Sequence, residues 1–296
     1  MKIIVCDSAN EKLISELKKF GNVVYKPENL QVEIENAVII IVRSATKVNK
    51  ELLGFAKNIK AVIRAGVGLD NIDVEECKKR GIEIYNTPSA STNAVAEQTI
   101  GMIIGLMRGL YLGHEGMKNG KWLKKETVGR EIEGKTLGII GLGRIGSSVA
   151  EKANKLGMKI IAYNLNKRES EFIEFVDFEE LCQRADIITI HAAMTKETEN
   201  MINEKSIEKM KQGVYLINMA RGQIVDEEAL YNGLKNGKIS GAALDVYCEE
   251  PYKGKLLELS NVFFTPHIGA NTIEAQEKIS GEIVKIIEEL KNRYEK

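Results

Sequence analysis

The stretch from Thr136 to Gly157 limits what this 296-residue chain can fold into more than any other part of it. Thr136-Leu137-Gly138-Ile139-Ile140 is a short apolar run of the kind that forms a strand covered on both faces. It leads without a break into Gly141-Leu142-Gly143-Arg144-Ile145-Gly146, which opens a helical pattern from Arg144 to Leu156 that stops at Gly157. Three glycines in a hexamer say little alone, but between a buried strand and a helix they say a good deal. Gly141 permits a tight turn, Gly143 lets a pyrophosphate approach the backbone, and Gly146 lets helix and strand pack closely. The N–H groups that begin the helix, at Arg144, Ile145 and Gly146, then face the anion together with the positive end of the helix dipole. The segment reads as the phosphate turn of a nicotinamide dinucleotide site.

Around it, short apolar runs alternate with amphipathic stretches from end to end, the pattern of an α/β chain with parallel sheets. Strands are expected at Lys2–Cys6, Val23–Tyr25, Ala37–Val42, Ala61–Arg64 and Glu83–Tyr85, forming one doubly wound unit. A second unit opens at Lys135, with strands at Thr136–Ile140, Lys159–Tyr163, Asp186–His191, Val214–Asn218, Gly241–Val246 and Val262–Thr265. Residues 94–119 differ from both units. They read as one long helical connection rich in small residues, whose apolar face suggests a subunit contact and hence a homodimer or tetramer. The last helix, Thr272 to about Arg293, has no strand after it and is expected to return to the first unit. The domains are therefore read as 1–93 with 273–296 for substrate, and 94–272 for the dinucleotide.

The 42 basic and 42 acidic residues cancel, so no long-range field draws the chain to nucleic acid or an anionic membrane, and neither is expected as a partner. Four scattered cysteines without a CxxC pair suit isolated thiols in a cytoplasmic protein, and no metal site is expected. The apolar start before Asp7 is too short for a signal peptide, and Thr99–Met107 is too short to span a bilayer.

Hydride removal from a secondary alcohol needs a base for the hydroxyl proton and a cation near the developing carbonyl. His267, in Thr265-Pro266-His267-Ile268-Gly269, follows a buried strand in a rigid turn and is the candidate acid/base. His191 ends another strand and is expected to line the cofactor site. Arg221 follows a strand that is otherwise apolar, and Asp245 with Glu249-Glu250-Pro251 follows the next one. An arginine, an acidic loop and a histidine thus leave the carboxyl ends of successive strands. At the second strand of the dinucleotide unit, an acidic residue that grips ribose hydroxyls is replaced by Asn164, 18 residues after Gly146, and the Asn164 amide can still hydrogen-bond a ribose hydroxyl. Asn166, Lys167 and Arg168 follow, so NAD is favoured and NADP stays open.

These residues resemble the signatures of the D-isomer-specific 2-hydroxyacid dehydrogenases, and the likeness runs nearly end to end. It rests on Gly134 to Gly146, on Met210-Lys211 and Gly213 leading to Ala220-Arg221-Gly222-Gln223-Ile224-Val225-Asp226-Glu227, on Ala242 to Val246, and on Glu250-Pro251. The resemblance implies a Rossmann dinucleotide-binding domain and a discontinuous, flavodoxin-like substrate domain. It implies that Arg221 binds the substrate carboxylate, that Glu250 pairs with His267, and that Asp245 lies at the nicotinamide end, with Ala192, Ala220 and Gly269 lining the cofactor. Val67 and Gly68, in the Gly66-Val67-Gly68 loop, would offer backbone N–H groups to the substrate. Val42 to Val48, Ile63 to Asp73, Asn86-Thr87-Pro88, Gly120-Lys121-Trp122 and Thr265 to Thr272 resemble the branch that handles a phosphorylated 2-hydroxy or 2-oxo acid. Arg43 and Arg64 would hold the phosphate there, and Lys124 or Lys125 would reach a neighbouring subunit's site. An NADPH-dependent glyoxylate or hydroxypyruvate reductase is the alternative within the family, and a dinucleotide-sensing binding protein is the distant one. His191-Ala192-Ala193-Met194-Thr195 and Asn164 depart from the family pattern at the cofactor. With its end at Lys296, the chain is expected to lack an appended serine-sensing domain.

Overall fold

The structure, a computed structural model, describes residues 1–164 and 170–294. Asn166, Lys167 and Arg168, weighed above for cofactor preference, lie outside the described residues. The chain forms two compact units, Met1–Ser91 with Ala270–Lys296, and Thr92–Gly269.

The first unit is a five-stranded parallel sheet of β1 (Lys2–Val5), β2 (Asn22–Tyr25), β3 (Ile39–Val42), β4 (Ala61–Arg64) and β5 (Glu83–Asn86), in the order β2-β1-β3-β4-β5. That is the flavodoxin-like order. The central strand β3 is four branched residues, all buried, as a strand covered on both faces requires. Its helices start where side chains take up the first free N–H groups: Asn10, Asn29, Asn49 and Asp73 each accept from a backbone N–H three residues on. The helix Ile273–Tyr294 places Ile279, Ile283, Ile287 and Leu290 at three- and four-residue spacing against Ile3, Val5, Ile39 and Ile63.

The second unit is a seven-stranded sheet of β6 (Thr136–Ile140), β7 (Lys159–Tyr163), β8 (Ile173–Phe175), β9 (Ile187–Ile190), β10 (Val214–Asn218), β11 (Ile239–Leu244) and β12 (Val262–Phe264). Its order is β12-β11-β10-β9-β6-β7-β8, with parallel pairing throughout. The strand order reverses between β6 and β9, so the carboxyl ends of these two strands flank the crevice where such sheets bind ligands. β8 is absent from the sequence reading: three residues at a sheet edge, with Glu174 exposed between Ile173 and Phe175, carry too little pattern to stand out.

The expected single helix over 94–119 is two helices, Thr92–Met107 and Leu110–Lys118. They break at Gly109, whose φ of +59° belongs to the left-handed region. Part of the apolar face that suggested a subunit contact is buried within its own unit, where Ala96, Met102, Ile103, Leu106 and Met107 share a core with Ile139, Ile217 and Ala243, while Leu110 and Met117 on the second helix are exposed. Gly105 on the first helix serves close packing: a Cβ there would lie 3.0 Å from the Phe263 ring. Among the described residues, no helix is long and apolar enough to cross a membrane.

Candidate active site

The glycine turn closes against the neighbouring strand. Gly141 takes φ +91°, donates its N–H to Tyr163 O at 3.0 Å, and would place a Cβ 2.5 Å from Ala192 N. Gly146 sits so close to the turn that a Cβ would lie 2.1 Å from Gly141 O. Both glycines are therefore demanded by the fold itself. Gly143 is not: its φ of −79° and ψ of −162° suit any residue, and nothing lies within 4 Å of where a Cβ would project. That open cradle adjoins the start of the 12-residue helix Arg144–Lys155, which has no side-chain cap. An open approach to uncapped N–H groups fits a pyrophosphate. Arg144 is exposed and Ile145 half-buried beside it.

Asn164 stands at this turn, with Oδ1 accepting from Leu142 N at 3.0 Å. The oxygen expected to face a ribose thus braces the glycine loop. His191 follows β9, with Nε2 2.9 Å from Thr189 Oγ1 and its own N–H donated to Ile140 O at 2.8 Å. Part of the residue is accessible, yet Nδ1 is sealed from solvent and has no hydrogen-bond partner in the structure. Burial pushes this imidazole down to about 3, so it is neutral at physiological pH. An unsatisfied buried nitrogen next to the glycine turn is a second feature that fits a bound ligand there.

Along the same sheet edge, strand register aligns Ile190 with Asn218, Asn218 with Leu244, and Leu244 with Phe264. His191, Arg221, Asp245 and His267 therefore emerge from the carboxyl ends of four adjacent strands. The His267 ring meets Glu250, with Nδ1 3.0 Å from Oε1 and 2.9 Å from Oε2, and both side chains are part-exposed. His267 takes φ +52°, in a region that residues with a Cβ seldom occupy. Arg221 turns Nη1 to Ala220 O at 2.6 Å. The backbone after it presses on the Glu250 loop: a Cβ on Gly222 would lie 2.0 Å from the carbonyl carbon of Tyr247. That loop is braced by Tyr247 stacked on Tyr252 at 4.6 Å, and the Tyr247 hydroxyl donates to Thr265 O at 2.8 Å. Burial, with the nearby Asp245 charge, pushes the Tyr247 phenol up to about 12, so it stays protonated as a donor.

Asp245 is only 2% exposed, and its carboxylate faces into the protein. Oδ1 accepts from Gln98 Nε2, Thr265 Oγ1 and Ile268 N, and Oδ2 accepts from Gly269 N. Four donors of the chain thus converge on this carboxylate, three at Oδ1 and one at Oδ2. Gln98 and Thr265 do not stand out as polar partners in the sequence, because only the fold brings residue 98 beside residue 245. Ala220 is buried, its N–H held by Asn218 Oδ1 at 3.1 Å. Lys124 is exposed on the loop after the helix Leu110–Lys118.

In the first unit, Val42, Arg64 and Asn86 are in register at the carboxyl edge. Asp7 accepts from the backbone N–H of Arg43 and, at 2.7 Å, from the hydroxyl of Thr46, so it shapes the loop and leaves the Arg43 guanidinium outside that contact. The Arg64 guanidinium lies over Gly66, where a Cβ would sit 1.9 Å from Nη1. Val67 is 37% exposed with its carbonyl held by Asn86 Nδ2 at 2.7 Å, and Gly68 is half-buried beside it.

Comparison with known proteins matches residues 100–269 to the NAD binding domain of the D-isomer specific 2-hydroxyacid dehydrogenases. The chain is 45% identical over 281 residues to a hydroxypyruvate reductase of Thermotoga maritima, covering 93% of this chain and 92% of that one. It is 44% identical over 294 residues to a D-3-phosphoglycerate dehydrogenase of Methanocaldococcus jannaschii, covering 96% of this chain and 56% of that one. The chain thus spans about half the length of that dehydrogenase. A D-lactate dehydrogenase from Aquifex aeolicus, solved with NAD and lactic acid, superposes with a TM-score of 0.88 at 34% identity, covering 97% of this chain and 94% of that one.

Proposed function

Because the chain belongs to the D-isomer-specific 2-hydroxyacid dehydrogenases, NAD-dependent oxidoreductases, we propose that it oxidises 3-phospho-D-glycerate to 3-phosphohydroxypyruvate, the reaction that enters serine biosynthesis. The observation that carries the reading is the His267–Glu250 pair, at 2.9 Å, on the sheet edge that also bears the glycine turn and Arg221. An ionised Glu250 accepts a hydrogen from Nδ1, which fixes the tautomer and leaves the lone pair of a neutral ring on Nε2. In oxidation, Nε2 takes the C2 hydroxyl proton as the carbonyl forms. In reduction, the imidazolium returns that proton to the carbonyl oxygen. When bound, the nicotinamide supplies or accepts the hydride. The guanidinium of Arg221 pairs with the substrate carboxylate and polarises the carbonyl.

Supporting a phosphorylated substrate are Arg43, which follows β3, and Arg64, which ends the adjacent β4, with the loop at Arg43 held in shape by Asp7. NAD is the proposed cofactor. A second reading, hydroxypyruvate or glyoxylate reduction with NADPH, draws on the near full-length match to the Thermotoga maritima reductase and on the uncharged Asn164 at the glycine turn. The test is initial-rate absorbance of the reduced nicotinamide with phosphohydroxypyruvate, hydroxypyruvate, glyoxylate and 2-oxoglutarate, each with either cofactor. Phosphohydroxypyruvate with NADH should give the largest kcat/KM. A larger value for an unphosphorylated acid replaces the first reading with the second.

A further inference from the structure

His267 occupies the left-handed region at φ +52° without being glycine, a conformation that persists only where its surroundings enforce it. The enforcement is visible. The two residues after His267 donate their N–H groups to one carboxylate, Ile268 to Asp245 Oδ1 and Gly269 to Oδ2, both at 2.9 Å. A buried anion gripping two successive N–H groups holds the chain in a turn, as anions do in backbone nests. What then fixes the anion is Gln98, on the helix Thr92–Met107. Its Nε2 donates one hydrogen to Asp245 Oδ1 and the other to Thr265 Oγ1, each at 3.0 Å. Thr265 Oγ1 in turn donates to Asp245 Oδ1 at 2.5 Å. Three residues earlier on the same helical face, Val95 closes the other side: a Cβ on Gly269 would lie 3.2 Å from Val95 Cγ2 and 3.1 Å from Asp245 Oδ2.

We propose that Gln98 is a positioning residue, whose side-chain amide orients the Asp245 carboxylate and the Thr265 hydroxyl so that the 265–269 turn holds His267 against Glu250. The inference rests on His267 being the acid/base of the proposed reaction. An amide suits position 98 because it supplies two donors to an acceptor-rich corner. A carboxylate there would repel Asp245, and a thioether of the same length would donate nothing. Losing the amide leaves a buried carboxylate short of a donor and frees the Thr265 hydroxyl to rotate, which loosens the turn. Gln98 directs its amide hydrogens to Asp245 and Thr265, so its removal should disturb proton transfer and spare dinucleotide binding.

The chain has only three histidines, so its imidazole Cε1–H spectrum holds three resolvable signals, at His114, His191 and His267. In the full chain, Gln98→Met should broaden or split the His267 signal and leave the other two in place. With hydroxypyruvate and reduced nicotinamide dinucleotide, it should lower kcat by roughly ten- to a hundred-fold, the scale of a misaligned catalytic group, with KM for the dinucleotide within about two-fold. In a His267→Ala background the same change should alter turnover by less than about two-fold. If circular dichroism shows that Gln98→Met does not fold, Thr265→Val is read in its place and should give the same spectral signature with a smaller rate loss. An unchanged His267 signal together with a kcat within about two-fold of the parent overturns the positioning role. Parental turnover in His267→Ala overturns instead the acid/base reading beneath it.

Discussion

Gly143→Ala separates the needs of the fold from those of the dinucleotide. The backbone at 143 is extended, and an added methyl meets nothing within 4 Å. Replacing glycine at such a site stabilises by about 0.4–1 kcal/mol through the unfolded chain. Alanine is a poorer helix N-cap than glycine by a comparable few tenths to about 1 kcal/mol. The two effects nearly cancel, so the melting temperature should move by no more than about 2–4 °C. The methyl, however, occupies the space through which a pyrophosphate must approach the N–H groups of Arg144 to Gly146. Losing one charge-assisted hydrogen bond costs about 1.5–3 kcal/mol, roughly a ten- to hundred-fold rise in Kd. Fluorescence titration of reduced nicotinamide dinucleotide, beside differential scanning calorimetry, reads both quantities. Gly146→Ala is the contrast: its methyl would stand 2.1 Å from Gly141 O, far inside the 3.0 Å limit of real Cβ contacts, so stability itself should fall by about 1–3 kcal/mol. A Gly143→Ala protein that binds the dinucleotide as tightly as the parent would refute the assignment of the phosphate turn.

Acid should destabilise the fold through His191, whose imidazole is pushed from 6.5 in the unfolded chain down to about 3 by burial. Its contribution is complete above pH 6.5 and is lost as pH falls through that value toward 3, by about 1–2 kcal/mol between pH 7 and pH 5. Urea unfolding of His191→Gln should therefore show a correspondingly shallower pH slope over that window, and equal slopes would count against a sealed neutral ring. Arg43→Met should reduce kcat/KM for phosphohydroxypyruvate by at least about ten-fold more than for glyoxylate, because only the former presents a phosphate to the guanidinium. Equal losses in steady-state assays with both substrates would remove Arg43 from phosphate recognition.

Much of this was legible in the sequence, for identifiable reasons. β4, β6, β7 and β10 match their expected limits to the residue, because each is an apolar run bracketed by glycine or polar residues. The His267–Glu250 contact was implied by the family signature, and the glycine turn by its place between strand and helix. Other features were hidden because they depend on long-range contacts or on single backbone angles. Gly109 looked like one more small residue in a helical run until its φ of +59° broke the helix. Gln98 reads as a half-polar position on an apolar helix, and its meaning comes from a carboxylate 147 residues away. Asp7 carries no signature either, yet it shapes the loop that bears Arg43.

The central claim is that this chain moves a hydride directly between the nicotinamide and C2 of a small acid while His267 moves the proton. Deuterium at C4 of the reduced nicotinamide, followed by mass spectrometry of the product, tests it most directly. The account predicts one deuteron at C2 of the D-hydroxy acid, and a transfer rate in His267→Ala lower by roughly 100- to 10,000-fold, the range for removal of a general acid/base. Label that appears in water, or a His267→Ala protein that transfers it at the parental rate, would contradict the account.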